Sequence, residues 1–151
     1  MAKTLSMSDS VVIDRPIADV FSYLSDPDKA TEWSSDVVDY RMVSGAPDEV
    51  GSVASTTLKV AGVKVEATEE ITAYEENKRI GFESRDSRVE YTRELDFDGD
   101  GDGATRVTFK VDAKPSPGLF KFADSVAMKL YARDVHGNLE NAKTILETPN
   151  G

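Results

Sequence analysis

The sequence predicts an α+β domain in which an antiparallel sheet is covered by one long C-terminal helix. Three observations predict it. Between Val37 and Val111 the chain divides into short segments with apolar–polar alternation, spaced too closely for parallel crossovers. Before them, one strand pattern is followed by two short helix signatures in succession. After them, residues 116–147 read SPGLFKFADSVAMKLYARDVHGNLENAKTILE, with apolar positions at helical spacing and no proline beyond Pro117.

Taken in order, residues 8–14 (SDSVVID) form the first strand, with Val11 and Ile13 on one face. Arg15-Pro16 ends it, and Pro16 opens a helix over 17–25 that carries Val20, Phe21 and Leu24. Asp26 caps a second short helix, with Pro27 in its first turn and Trp33 near its end. Strands are expected at 37–44, 52–61, 63–74, 78–84, 88–97 and 105–113. Alternation is clearest in the last, where Val107, Phe109 and Val111 oppose Thr108 and Lys110. A sheet with one solvated face needs its other face covered, and only the C-terminal helix is long enough. Ser116 suits its N-cap, and Gly137 predicts a bend, since glycine costs a helix interior about 1 kcal/mol against alanine.

Composition narrows the function classes. A chain of 151 residues makes one domain, and no apolar run approaches the roughly 20 residues of a membrane span. The opening MAKTLSMSDS has no apolar signal stretch, so a cytoplasmic protein without stable membrane insertion is expected. Absence of cysteine excludes disulfides, thiolate metal sites and a cysteine nucleophile. A net charge of −10 argues against nucleic acid as a partner. No nucleophile elbow, phosphate loop or dinucleotide fingerprint is present, and no cofactor is expected.

The stretch from Val11 to Trp33, VxI followed by RPxxxVFxxLSDPxxxxxW, resembles the START-like or SRPBCC superfamily. Within it, the chain looks like the polyketide cyclase/dehydrase-like and coenzyme-Q-binding-like branch. VGS at 50–52, EEITAYEENKRIGF at 69–82 and NLENAKTILE at 138–147 extend the resemblance along nearly the whole chain. These are patterns of apolar and turn residues, specific for fold rather than chemistry. The resemblance implies the helix-grip fold: a curved seven-stranded antiparallel sheet wraps the C-terminal helix, and two short helices close one end of a hydrophobic cavity.

Alternation then nominates the cavity lining. On 63–74 the inward set is Val63, Val65, Ala67, Glu69 and Ile71, and on 88–97 Arg93 points inward between Tyr91 and Leu95. A carboxylate alone in an apolar cavity costs several kcal/mol, so Glu69 needs a partner, and Arg93 is the natural one. Such a pair orients the polar end of a ligand, unless it is purely structural or a bulge turns one member outward. Val53, Ser55, Thr57 and Phe82 are further lining candidates, with Phe122, Val126 and Leu130 from the long helix. By resemblance Trp33 sits near the closed end, either in ligand contact or as core packing. The 45–51 loop and the 114–120 approach to the long helix are candidate lids, and Phe120 a candidate for transient membrane or partner contact.

Two features read as bland. His136, the sole histidine, falls on the helix flank away from the apolar stripe. Asp98–Gly103 mimics the start of a calcium loop, but position twelve is Phe109 where a bidentate glutamate belongs, so a solvated acidic hairpin turn is expected. The function expected is binding, by carrying or sequestering, of a small hydrophobic or amphipathic ligand such as a lipid, quinone or polyketide. The protein would be a monomer or homodimer. One alternative is a cyclase or dehydratase acting on a polyketide-like substrate, with Glu69 as base and Tyr91 or Arg93 stabilising negative charge. Another is a protein-interaction module.

Overall fold

A computed structural model describes residues 4–115 and 124–148. Strand β1 (Leu5–Ile13) leads into helix α1 (Ile17–Leu24), a 3-10 turn (Pro27–Lys29) and helix α2 (Ala30–Trp33). Six strands follow: β2 (Val37–Ser44), β3 (Val53–Val60), β4 (Val63–Glu75), β5 (Arg79–Asp86), β6 (Tyr91–Gly99) and β7 (Thr105–Ala113). Helix α3 (Asp124–Glu147) ends the fold. The expected cap at Ser116 lies outside the described residues. The helix runs as one element through Gly137, where the sequence suggested a bend.

The strands make one antiparallel sheet of seven in the order β1-β7-β6-β5-β4-β3-β2, so the first two strands of the chain occupy opposite edges. Helices α1 and α2 carry the chain between those edges. Asp26 caps the 3-10 turn by accepting from the Asp28 N–H at 2.9 Å. On α1, Val20, Phe21 and Leu24 turn inward together, and Phe21 meets Phe97 and Tyr74 edge-on at centroid distances of 5.0 and 5.5 Å.

Tight turns set the registers. Ala61 and Gly62, both at positive φ, make a two-residue turn that places Val60 opposite Val63. Bulges interrupt the β2–β3 ladder at Val38 and Val43, and the β4–β5 ladder near Thr72 and Arg85. Such bulges bend strands and raise local twist, which lets the sheet curve over α3.

Helix α3 presents Ala127, Tyr131, Val135, Asn138, Leu139 and Ala142 to the core. Its C-terminal half is held on two sides, at the β1 edge and at α2. Lys143 Nζ donates to the Val12 carbonyl at 2.7 Å, and Arg15 Nε donates to the Leu146 carbonyl at 2.7 Å, satisfying a helix-end acceptor. On the other side, Asn141 Nδ2 donates to the carbonyls of Glu32 and Trp33.

Candidate functional site

Between the inner sheet face, α2 and α3 the chain leaves a cavity of about 60 Å³. Apolar walls come from Leu58, Ile71, Ile80, Leu95, Phe109 and Val135. A polar wall comes from Trp33, Asp36, Tyr40, Arg93, Tyr131 and Asn138, and Pro47 of the β2–β3 loop sits on the rim. Several water-sized volumes fit in this space, which is smaller than the ~300 Å³ at the low end of ligand pockets.

The polar wall has two halves. In the first, Glu69 on β4 is fully buried, and Arg93 on β6, 16% exposed, forks onto it. Arg93 Nε donates to Oε2 at 2.9 Å and Nη2 to Oε1 at 2.7 Å, a bidentate geometry, while the Tyr91 hydroxyl also donates to Oε2. The Arg93 guanidinium lies 3.9 Å from the centroid of the Phe82 ring. Burial works against the Arg93 charge, but the Glu69 carboxylate more than offsets it and leaves the pKa above the usual guanidinium range. Burial, then Glu69, raises the Tyr91 phenol well above its ordinary range. Burial also pushes Tyr40 up to about 12, with Arg93 opposing.

In the second half, Asp36 is buried without an ion-pair partner among the described residues. Its Oδ1 accepts from the Ser34 hydroxyl at 2.8 Å and from Asn138 Nδ2. Asn138 Oδ1 in turn accepts from the Ser35 N–H and hydroxyl, both at 2.9 Å. Burial raises the Asp36 pKa, opposed by the Ser34, backbone and Asn138 hydrogen bonds and by the more distant Arg93.

Of the residues singled out from sequence, Trp33, Ile71, Phe82 and Arg93 line the cavity, as does Leu95 beside Arg93. Val65, Ala67, Glu69 and Tyr91 are buried on the inner sheet face but stand outside the lining. Val53, Ser55 and Thr57 require correction: they face outward, and Ala54, Thr56 and Leu58 take the inward positions. The two-residue turn dictates this, because residues directly opposite share a face, and Leu58, Thr56 and Ala54 oppose Val65, Ala67 and Glu69. Val126 is a second correction, being 41% exposed, and Leu130 is half-buried outside the lining. The helix is turned so that Ala127, Tyr131 and Val135 face in. Phe122 and Phe120 lie outside the described residues, as does most of the 114–120 candidate lid.

Sequence reasoning missed Asp36, Tyr40, Tyr131 and Asn138. Tyr131 carried a signal, standing four residues from both Ala127 and Val135. His136 has a side chain 60% exposed, with Nδ1 2.8 Å from Asp9 Oδ2. In the Asp98–Gly103 run, Asp98 and Gly99 end β6 and the rest lies in the β6–β7 turn, where Asp100 approaches Arg106 at 3.6 Å.

Known structures share this architecture. A START superfamily protein from Mycobacterium smegmatis superposes with a TM-score of 0.77 at 12% identity, covering 94% of this chain and 97% of that one. The Zhui aromatase/cyclase from Streptomyces sp. R1128 gives 0.79 at 14% identity, covering 96% and 94%. Ginseng major latex-like protein 151 from Panax ginseng gives 0.73 at 18%, covering 96% and 99%. At these identities the likeness is one of fold. No curated protein matches the chain by sequence. The family model described as polyketide cyclase / dehydrase and lipid transport matches residues 4–147, and the chain therefore belongs to that family.

Proposed function

We propose that the domain binds a small hydrophobic or amphipathic ligand, such as a lipid, quinone or polyketide, and carries or sequesters it. The observation that carries this reading is the cavity itself, with apolar walls from the sheet and α3 and a polar wall drawn from α2, α3 and strands β2 and β6. Apolar burial supplies affinity at about 25 cal/mol per Å², so a ligand hiding ~250 Å² gains roughly 6 kcal/mol before the cost of association. The polar wall then sets orientation. A cyclase or dehydratase using Glu69 as base has less support. Both Glu69 oxygens already accept from Arg93 and Tyr91, and the residue stands behind the lining.

Native mass spectrometry of freshly purified protein, with extraction of any retained compound, tests the reading. A discrete extra mass in the lipid, quinone or polyketide range supports it. A panel of apolar compounds should also raise the melting temperature, since ligand at a hundred times Kd adds about 2.7 kcal/mol. Ala30→Trp, filling the cavity from a half-exposed position, should abolish that shift. A bare polypeptide mass together with no shift from any compound overturns the reading.

A further inference from the structure

Resting on the binding reading above, we infer that the cavity's ligand is a neutral apolar molecule bearing an oxygen acceptor, a carbonyl or hydroxyl, for the indole N–H of Trp33. Trp33 lines the cavity, and its Nε1 is the buried side-chain polar atom without a hydrogen-bond partner among the described residues. An indole N–H can only donate, and leaving a buried donor unmet costs about 1–3 kcal/mol.

Three acceptors on the lining residues Trp33, Asp36 and Asn138 already carry hydrogen bonds. The Trp33 carbonyl accepts from Asn141, Asp36 Oδ1 from Ser34 and Asn138, and Asn138 Oδ1 from Ser35. An acceptor from outside the chain fits this arrangement. Its charge follows from the same wall. Arg93 is already compensated by Glu69, and the buried Asp36 carboxylate would repel an anion, so a neutral oxygen is favoured over a carboxylate or phosphate.

Two size-matched probes isolate the oxygen: 1-tetralone, a ketone, and tetralin, its parent hydrocarbon. Calorimetry on wild type and Trp33→Phe should show that the variant's loss for 1-tetralone exceeds its loss for tetralin by about tenfold, the shared part being the lost apolar wall. Equal losses for both probes, or none for either, overturn the inference while leaving the binding reading intact. Binding of neither probe to wild type, together with a bare mass and a silent panel, overturns the parent reading and the inference with it. If Trp33→Phe does not fold, the wild type still decides. The chain has a single tryptophan, so ¹⁵N-labelled protein gives one indole N–H resonance. Saturation with 1-tetralone should move that proton downfield relative to the tetralin complex, which carries the same aromatic ring. Coincident resonances in the two complexes refute the contact.

Discussion

Replacing Arg93 with methionine tests how the cavity's polar wall is held. Arg93→Met leaves Glu69, which is 0% exposed, with the Tyr91 hydroxyl as its remaining side-chain partner among the described residues. Breaking a buried pair by removing one partner costs about 3–5 kcal/mol, because the other charge stays buried and uncompensated. Arg93 itself is 16% exposed, so water reaches part of the site and the lower end applies, about 3 kcal/mol. Methionine keeps a contact on the Phe82 ring and limits any further loss. For a chain of this size, ~3 kcal/mol corresponds to a fall in Tm of roughly 6–12 °C. Urea unfolding of wild type, both single variants and the double variant Glu69→Gln/Arg93→Met completes the cycle. Glutamine removes the charge and keeps an acceptor for Tyr91, so the double variant should recover at least half of the loss. An Arg93→Met loss below about 1 kcal/mol, or losses that simply add in the double variant, would refute the reasoning.

Three further outcomes follow from the same geometry. Asp36 has a folded pKa above its ordinary value, so its ionised form burdens the folded state at neutral pH, and the burden lifts as pH falls through the folded pKa. Asp36→Asn should therefore be more stable than wild type near pH 7, with an advantage that shrinks toward acid; Tm measured from pH 8 to pH 4 checks this, and an advantage growing in acid contradicts it. Asn138→Ala removes a donor to Asp36 and the acceptor for Ser35, and should cost about 2 kcal/mol in urea unfolding, less in the Asp36→Asn background. Gly45 adopts φ +76° and an added Cβ would lie 2.1 Å from Ser52 Oγ, so Gly45→Ala should lose about 2 kcal/mol or more, read as a Tm fall of at least ~4 °C.

The fold was legible because its signals are local. Strand alternation, the Asp26-Pro27 cap and the long amphipathic stretch each depend on neighbours in sequence. The errors arose where one element's orientation depends on another. An inward set of Val53, Ser55 and Thr57 cannot coexist with Val65, Ala67 and Glu69 once a two-residue turn joins the strands, and Ala61-Gly62 was visible as that turn. On α3, hydropathy favours Val126 and Leu130. The true stripe of Ala127, Tyr131 and Val135 continues through Asn138, a polar residue that an apolar pattern discards. Asn138 is buried because Asp36 is buried opposite it, and neither can be read without the other. The Glu69–Arg93 pair was readable for the opposite reason, since an inward carboxylate needs an inward cation and alternation supplied one.

The size of the cavity then locates its opening. A void of about 60 Å³ cannot take a ligand of lipid or polyketide size unless part of the wall moves. The C-terminal half of α3 is tied to Val12, Arg15, Glu32 and Trp33, and β6 and β7 are paired on both sides, so displacing either breaks many hydrogen bonds together. Strand β2 is different. Among the described strands it is an edge strand bonded to β3 alone, interrupted by bulges at Val38 and Val43, and it contributes Tyr40 and Met42 to the lining. The Pro47 rim continues directly from it. Local opening free energies are lowest where few contacts and few buried hydrogen bonds must be broken, so the ligand should enter by loosening of β2 and the β2–β3 loop. Native-state hydrogen exchange should find β2 amides exchanging well before those of β6 and β7, with a bound ligand slowing β2 most. Uniform protection across the sheet, or slowing confined to α3, would place the opening elsewhere.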